Sequence, residues 1–234
     1  PKMVKEEKAD AVVLMGTFTL EYTKFLRKNV CLPLILLDTL ANEEDTDSVV
    51  SNNMMGAYRM TNYLFRMGHS KIGFVGTRLA TTSIDDRFFG YLKSLMQHGV
   101  PLREDWLIED RDRKTGAGDY DRYFKLPPKE EMPTAFFCNN DMAALAMVRR
   151  LTENGYAVPD DISIVGFDNF INESFPQIGI TTYAIKIREM AGRAIHILLH
   201  KLENPDYKTG VYMIDGEFIE RDSAKRIGEE VPFI

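Results

Sequence analysis

The sequence predicts an α/β fold built on mainly parallel sheet. Three observations carry this expectation. Short apolar runs of strand length alternate with amphipathic helical stretches along the whole chain. The apolar runs are continuous rather than alternating, which is the pattern of strands buried on both faces. Two of them, 134–138 and 162–167, end in amide and carboxylate side chains, at the sheet edge where open α/β folds bind small molecules.

In chain order, 11–15 (AVVLM) reads as a strand ending at Gly16. Thr17 or Thr19 can cap a helix with Phe18, Tyr22, Phe25 and Leu26 inward. Residues 33–37 form the next strand, with Asp38 at its end, and 41–47 (ANEEDTD) read as a solvated acidic loop before a short strand at 48–51. Asn52 or Asn53 caps a helix striped by Ala57, Met60, Leu64 and Met67 and closed by Gly68. A strand at 71–75 leads through a Thr-rich loop into a helix from about Ile84, with Phe88, Leu92, Leu95 and Met96 inward.

A strand at 106–108 and the charged stretch EDRDRK follow, then a helix over 116–124. The segment 133–169 is one strand–helix–strand unit. Its strand 134–138 runs into Asn139-Asn140-Asp141, whose side chains can cap the next helix. Ala144, Leu145, Val148 and Leu151 line that helix, Gly155 stops it, and 162–167 is the second strand. A strand at 180–183 precedes the longest helix, striped by Ile187, Met190, Ala191, Ala194, Ile195, Leu198 and Leu202. Residues 211–214 and 217–220 close the pattern.

The chain has 234 residues, of which 44% are hydrophobic, enough for one large domain or two lobes. No run reaches the length of a membrane span, and PKMVKEEKAD lacks the apolar core of a signal peptide. Cys31 and Cys138 sit in apolar runs and read as buried free thiols of a reducing cytoplasm. A formal charge of −6 without a basic arm is a poor match to DNA phosphates, so any DNA contact must come from another segment.

Phosphate-binding glycine loops and a nucleophile elbow are absent. His196 and His200 could share a metal but lack a third ligand, and His69 reads as a turn residue. No convincing acid/base pair stands out, so neither an enzyme, a metal nor a cofactor is expected.

The phrases CNNDMAA, VPDDISIVGFDN and GITTY, in this order, resemble the effector-binding core of the LacI/GalR family of bacterial transcription regulators. The likeness runs from about Ala11 to Ala224, and the closing GEFIERDSA is similar to the family's ending. It implies two lobes of parallel sheet flanked by helices, like a periplasmic binding protein, with crossover strands as hinge. The lobes would be 1–51 plus 184–214, incomplete at its start, and 52–183 plus 215–234. The family's DNA-binding helix-turn-helix is not in this chain, and a truncated N-terminus is expected.

The resemblance also implies the site. Arg87, read from the residues alone, is an exposed helix arginine or a donor fork for a polar ligand. In Arg87-Phe88-Phe89-Gly90-Tyr91 it matches the family's effector-binding arginine. Asp168, in Gly166-Phe167-Asp168-Asn169, matches the aspartate that faces the ligand, and its carboxylate suits vicinal hydroxyls. Asn140 matches the family's N-D pair as a further contact, while Asp141 reads as the helix cap. Asp38, Ser83 and Asp112 complete the expected set, the last two on loops. Ile185 departs from the family, which often has a polar residue there. The implied partners are a small effector, most simply a carbohydrate, operator DNA through the missing module, and a second copy of the chain. The alternative is a sugar-binding protein of a transport system.

Overall fold

The structure is a computed structural model that describes residues 8–16, 18, 20–40, 46–170, 178–204, 206–207 and 210–234. The chain divides into two compact units, Pro1–Asn52 with Lys186–Asp215, and Asn53–Ile185 with Gly216–Ile234. No helix among the described residues is long and apolar enough to cross a membrane.

The first unit holds a four-stranded parallel sheet in the order β1-β2-β3-β9. These strands are Val12–Met15, Leu34–Leu37, Asp47–Ser51 and Val211–Ile214. Helix α1 is Leu20–Asn29, and the long helix α6 is Ile187–Glu203. Met190, Ala194, Ile197 and Leu198 of α6 pack on Ile35 and Val49. Burying the larger of these side chains is worth about 2 kcal/mol each.

The expected stripes are too broad here. Ile195 and Leu202 of α6 are exposed, because the sheet covers only one strip of that helix, and Tyr22 and Phe25 of α1 are exposed as well. Asp47, expected in a solvated loop, is fully buried at the start of β3, where Lys201 pairs with it at 2.7 Å and the Gly210 N–H donates to it. Cys31 is exposed, against expectation, and Cys138 is buried. The proposed caps Thr17 and Thr19 and the loop 41–45 lie outside the described residues.

The second unit holds a parallel sheet in the order β5-β4-β6-β7. The strands are Leu107–Ile108, Ile72–Val75, Ala135–Cys138 and Ser163–Val165. An antiparallel pair, β8 (Thr182–Ala184) with β10 (Glu217–Ile219), extends it beyond β7 through a bridge from Val165 to Thr181. Helices α2 (Asn53–Arg66) and α3 (Thr82–Gln97) pack together and, with Phe74, Phe137, Phe167 and Tyr183, form one core. Helix α5 (Asp141–Glu153) packs on the other face through Ala144, Met147 and Leu151.

Sequence order reverses between β4 and β6, since β5 lies on one side of β4 and β6 on the other. In open α/β sheets, the carboxyl ends of the strands at such a reversal are where ligands bind.

Three details differ from expectation. Helix α3 starts at Thr82, capped by the Thr81 hydroxyl, so Ser83 lies in its first turn and not on a loop. Only Tyr120–Tyr123 of the expected 116–124 is helical (α4), because the chain turns back through Gly116 at φ +70°. Met96, expected inward on α3, is exposed.

The segment after β10 stitches this unit. Ser223 Oγ is buried, donates to the Ile164 carbonyl at 2.6 Å and accepts from Thr181 N–H at 2.8 Å. Ser223→Ala leaves both backbone groups without their partner. It is expected to lower unfolding free energy by about 2 kcal/mol, read by denaturant titration.

Candidate functional site

The carboxyl ends of β4, β5, β6 and β7 place four polar groups side by side: Thr77, Asp110, Asn139 and Asp168. Each stands one to three residues past its strand. Arg87 reaches them from one turn inside α3.

Arg87 is buried, at 5% exposure. Its Nε donates to Asn53 Oδ1 at 2.9 Å and its Nη1 to the Asn139 carbonyl at 2.5 Å. Its Nη2 lies 2.8 Å from Asp168 Oδ1. The guanidinium also sits 3.9 Å over the Phe167 ring, a favourable place for a cation. Gly90, three residues on, explains how α3 comes so close to α2: a Cβ there would lie 2.2 Å from the Met54 carbonyl oxygen.

Asp168 is held in an unusual backbone conformation, φ +93°, and Asn169 follows at φ +56°. For residues other than glycine, such geometry costs about 1–3 kcal/mol and persists only where neighbours enforce it. Here the Asp168 N–H donates to the Tyr183 carbonyl at 2.9 Å, and Asn169 Oδ1 accepts from Arg221 Nη2 at 2.7 Å. Among the described residues no donor is aligned on Asp168 Oδ1 as a hydrogen bond, although Arg87 Nη2 is close. That oxygen is buried behind the ion pair, while the Asp168 side chain as a whole keeps 28% exposure.

Behind this pair lies a fully bonded support. Asn139 Nδ2 donates to the Val75 carbonyl and to Asp110 Oδ2, both at 2.9 Å. Asp110 is fully buried, takes the Thr77 N–H on Oδ1 at 2.9 Å and pairs with Arg111 at 2.7 Å. Burial alone would raise the Asp110 acid. The Arg111 ion pair and the Asn139 and Thr77 donors outweigh it and hold the acid below the usual carboxylate range.

The expected residues separate into groups. Arg87 and Asp168 are brought together. Asn140 caps α5: its Oδ1 accepts from Ala143 N–H at 2.8 Å and its Nδ2 donates to Asn139 Oδ1 at 2.8 Å. Asp141, read as the cap, is instead the first helical residue, buried, with its carboxylate on Thr182 and Phe170. Asn140, and not Asp141, is therefore the helix cap.

Ser83 Oγ lies 3.1 Å from Thr81 Oγ1, in the helix cap. Asp112 Oδ1 accepts the N–H groups of Thr115 and Lys114 and the Thr115 hydroxyl, closing its own loop. Those donors hold its acid below the ordinary range. Asp38, at φ +58°, ends β2 of the first unit.

The sequence reading missed Asn53 as a partner of Arg87, and Asn139, Asp110 and Thr77 as its support. Asp110 carried a usable signal, since it closely follows an apolar strand, as Asp168 does. His69 is no simple turn residue. It is buried, with Nδ1 3.0 Å from Thr134 Oγ1 and Nε2 3.1 Å from the Lys225 carbonyl, and burial lowers its pKa. Among the described residues no group of three His, Cys, Asp or Glu could hold a metal.

A periplasmic binding protein-like domain profile matches residues 61–224. The HTH-type transcriptional repressor PurR of Mannheimia succiniciproducens is 30% identical over 227 residues, covering 97% of this chain and 67% of that protein. In fold the chain is similar to the transcription regulator CcpA of Lactococcus lactis, with a TM-score of 0.80, 20% identity, and 96% of this chain and 81% of that one covered. It is also similar to a LacI family regulator of Enterococcus faecium solved with bound ribose, with a TM-score of 0.78, 24% identity, and 97% and 83% covered.

Proposed function

The chain belongs to the LacI family of transcription regulators, as its effector-binding core, and from that premise we propose that Arg87 and Asp168 bind a small polyhydroxylated effector. The observation that carries this reading is the Asp168 carboxylate. It is fixed in a costly backbone conformation, paired with Arg87 through one oxygen, and still 28% exposed as a side chain. A carboxylate takes two vicinal hydroxyls well, and an arginine fork beside it donates to a third oxygen. The Enterococcus faecium neighbour's ribose is a ligand of that chemistry. Asn53 and Asn139 hold the fork in plane and are its positioning partners.

Ile185 packs against the core of the second unit, which leaves an apolar wall where a polar group is common in the family. This favours a sugar or sugar phosphate with one less polar edge. Effector binding shifts the regulator's equilibrium only through contacts that differ between its states, and operator affinity follows by linkage. Operator binding through a helix-turn-helix, a homodimer and a cytoplasmic location complete the proposal. The relatives named are transcription regulators, in keeping with a sensing role.

The test is a thermal-shift screen against ribose, other mono- and disaccharides, their phosphates and purines. A sugar at 100 times its Kd raises stability by about 2.7 kcal/mol. Asp168→Ala is expected to remove that shift while the protein remains folded. A shift from purines alone, or a sugar shift that survives Asp168→Ala, would overturn the assignment.

A further inference from the structure

We infer that Asp141 is the positioning residue of this site: its buried carboxylate fixes the turn that presents Asp168. The inference rests on Asp168 being the effector contact. Asp141 itself is only 4% exposed and does not face solvent.

Three attachments tie it to the turn. The Asp141 N–H donates to the Phe167 carbonyl at 2.9 Å, just before Asp168. Its Oδ2 accepts the Phe170 N–H at 2.8 Å, just after Asn169. Its Oδ1 accepts the Thr182 hydroxyl at 2.7 Å, and that hydroxyl accepts the Asn169 N–H at 3.4 Å. Backbone groups on both sides of Asp168 thus end on one residue. Gly166 shows how closely the carboxylate is packed, since a Cβ there would lie 2.1 Å from Asp141 Oδ1. A left-handed aspartate needs this enforcement.

The carboxylate also titrates in an accessible range. Burial is the main cause that pushes its acid up to about 7, and the nearby Asp168 charge adds to this. The Thr182 and Phe170 donors and Arg221 oppose it. Among the described residues, the charged and titratable groups around it are Asp168 on the turn, Arg221 just past β10 and the Cys138 thiol at the end of β6. Arg87 faces Asp168 from α3.

As an anion, Asp141 accepts from both Thr182 and Phe170. As an acid, one oxygen must donate, and the partner that can turn from donor to acceptor is the Thr182 hydroxyl. Protonation therefore rewires the bond that holds Asn169. The folded acid lies above its unfolded value. The stability it contributes is full below about pH 4 and is lost as pH rises through about 7.

The test follows the Phe170 and Asn169 N–H and Arg87 Nε–H resonances of the ligand-free protein from pH 5.5 to 8.5. All three are expected to shift with one shared midpoint near 7, and Asp141→Asn, which mimics the neutral acid, is expected to flatten all three. Thr182→Val, which keeps the carboxylate, is expected to move the midpoint upward and abolish the Asn169 response. A Phe170 titration without a matching Arg87 response would overturn the inference, as would a midpoint that persists in Asp141→Asn. Because no ligand enters the measurement, a failed effector screen would sink the site reading without deciding this one.

Discussion

Gly90→Ala is expected to lower the unfolding free energy of the second unit by about 3 kcal/mol, at the upper end of overpacking costs. The added Cβ would lie 2.2 Å from the Met54 carbonyl oxygen, 2.8 Å from the Ala57 Cβ and 2.9 Å from the Tyr58 nitrogen. None of these is the free end of a flexible side chain, so the relief must come from moving α3 away from α2 by about an ångström. Arg87 lies one turn earlier on α3, and its Nε is bonded to Asn53 at the start of α2. The same displacement stretches that bond, so the variant is expected to lose effector affinity as well as stability. Gly192→Ala is the control. Gly192 sits inside α6 with nothing within 4 Å of a new Cβ, and there alanine is expected to stabilise by about 0.5–1 kcal/mol. Denaturant titrations of the two variants should move in opposite directions. A Gly90→Ala midpoint equal to wild type would mean that the helices are not held at this separation.

The order of strands and helices was legible because most strands contain a short apolar run and the long helices have a periodic face. The widths of the helix faces were not. Ile195 and Leu202 fit the stripe of α6, yet they stand beyond the strip that the sheet covers. Asp168 was legible because it ends an apolar strand. Asp110 is as deeply built in, but Glu109, Arg111, Asp112 and Arg113 surround it and the stretch reads as solvated. Its burial depends on Thr77 and Asn139, 33 and 29 positions away. That Asn140 and not Asp141 caps α5 has the same root. Either side chain can cap a helix. What decides is Thr182, 41 positions away, which takes Asp141 and leaves the cap to Asn140. Polar side chains at strand ends are therefore easy to find in sequence, and their division of labour is set by partners that local pattern does not contain.

Arg87→Ala is expected to abolish effector binding and to cost about 3 kcal/mol of stability, by the usual penalty for removing one partner of a buried ion pair. The penalty should fall toward the low end of the usual range, since the Asp168 side chain keeps 28% exposure and water can partly replace the lost charge. Stability alone cannot separate a ligand contact from a structural pair, so the comparison that matters is with Arg87→Lys and Asp168→Asn. Lysine keeps the charge, but its ammonium cannot reach Asn53 Oδ1, the Asn139 carbonyl and Asp168 at once, as the guanidinium does. It is expected to recover part of the stability and little of the affinity. Arg87→Ala combined with Asp168→Asn removes the uncompensated charge, so a double-mutant cycle should return stability toward wild type. Affinity should stay lost, because the ligand would then meet neither fork nor carboxylate. Affinity that recovers together with stability in the double variant would show the pair to be structural, and the effector would have to bind elsewhere.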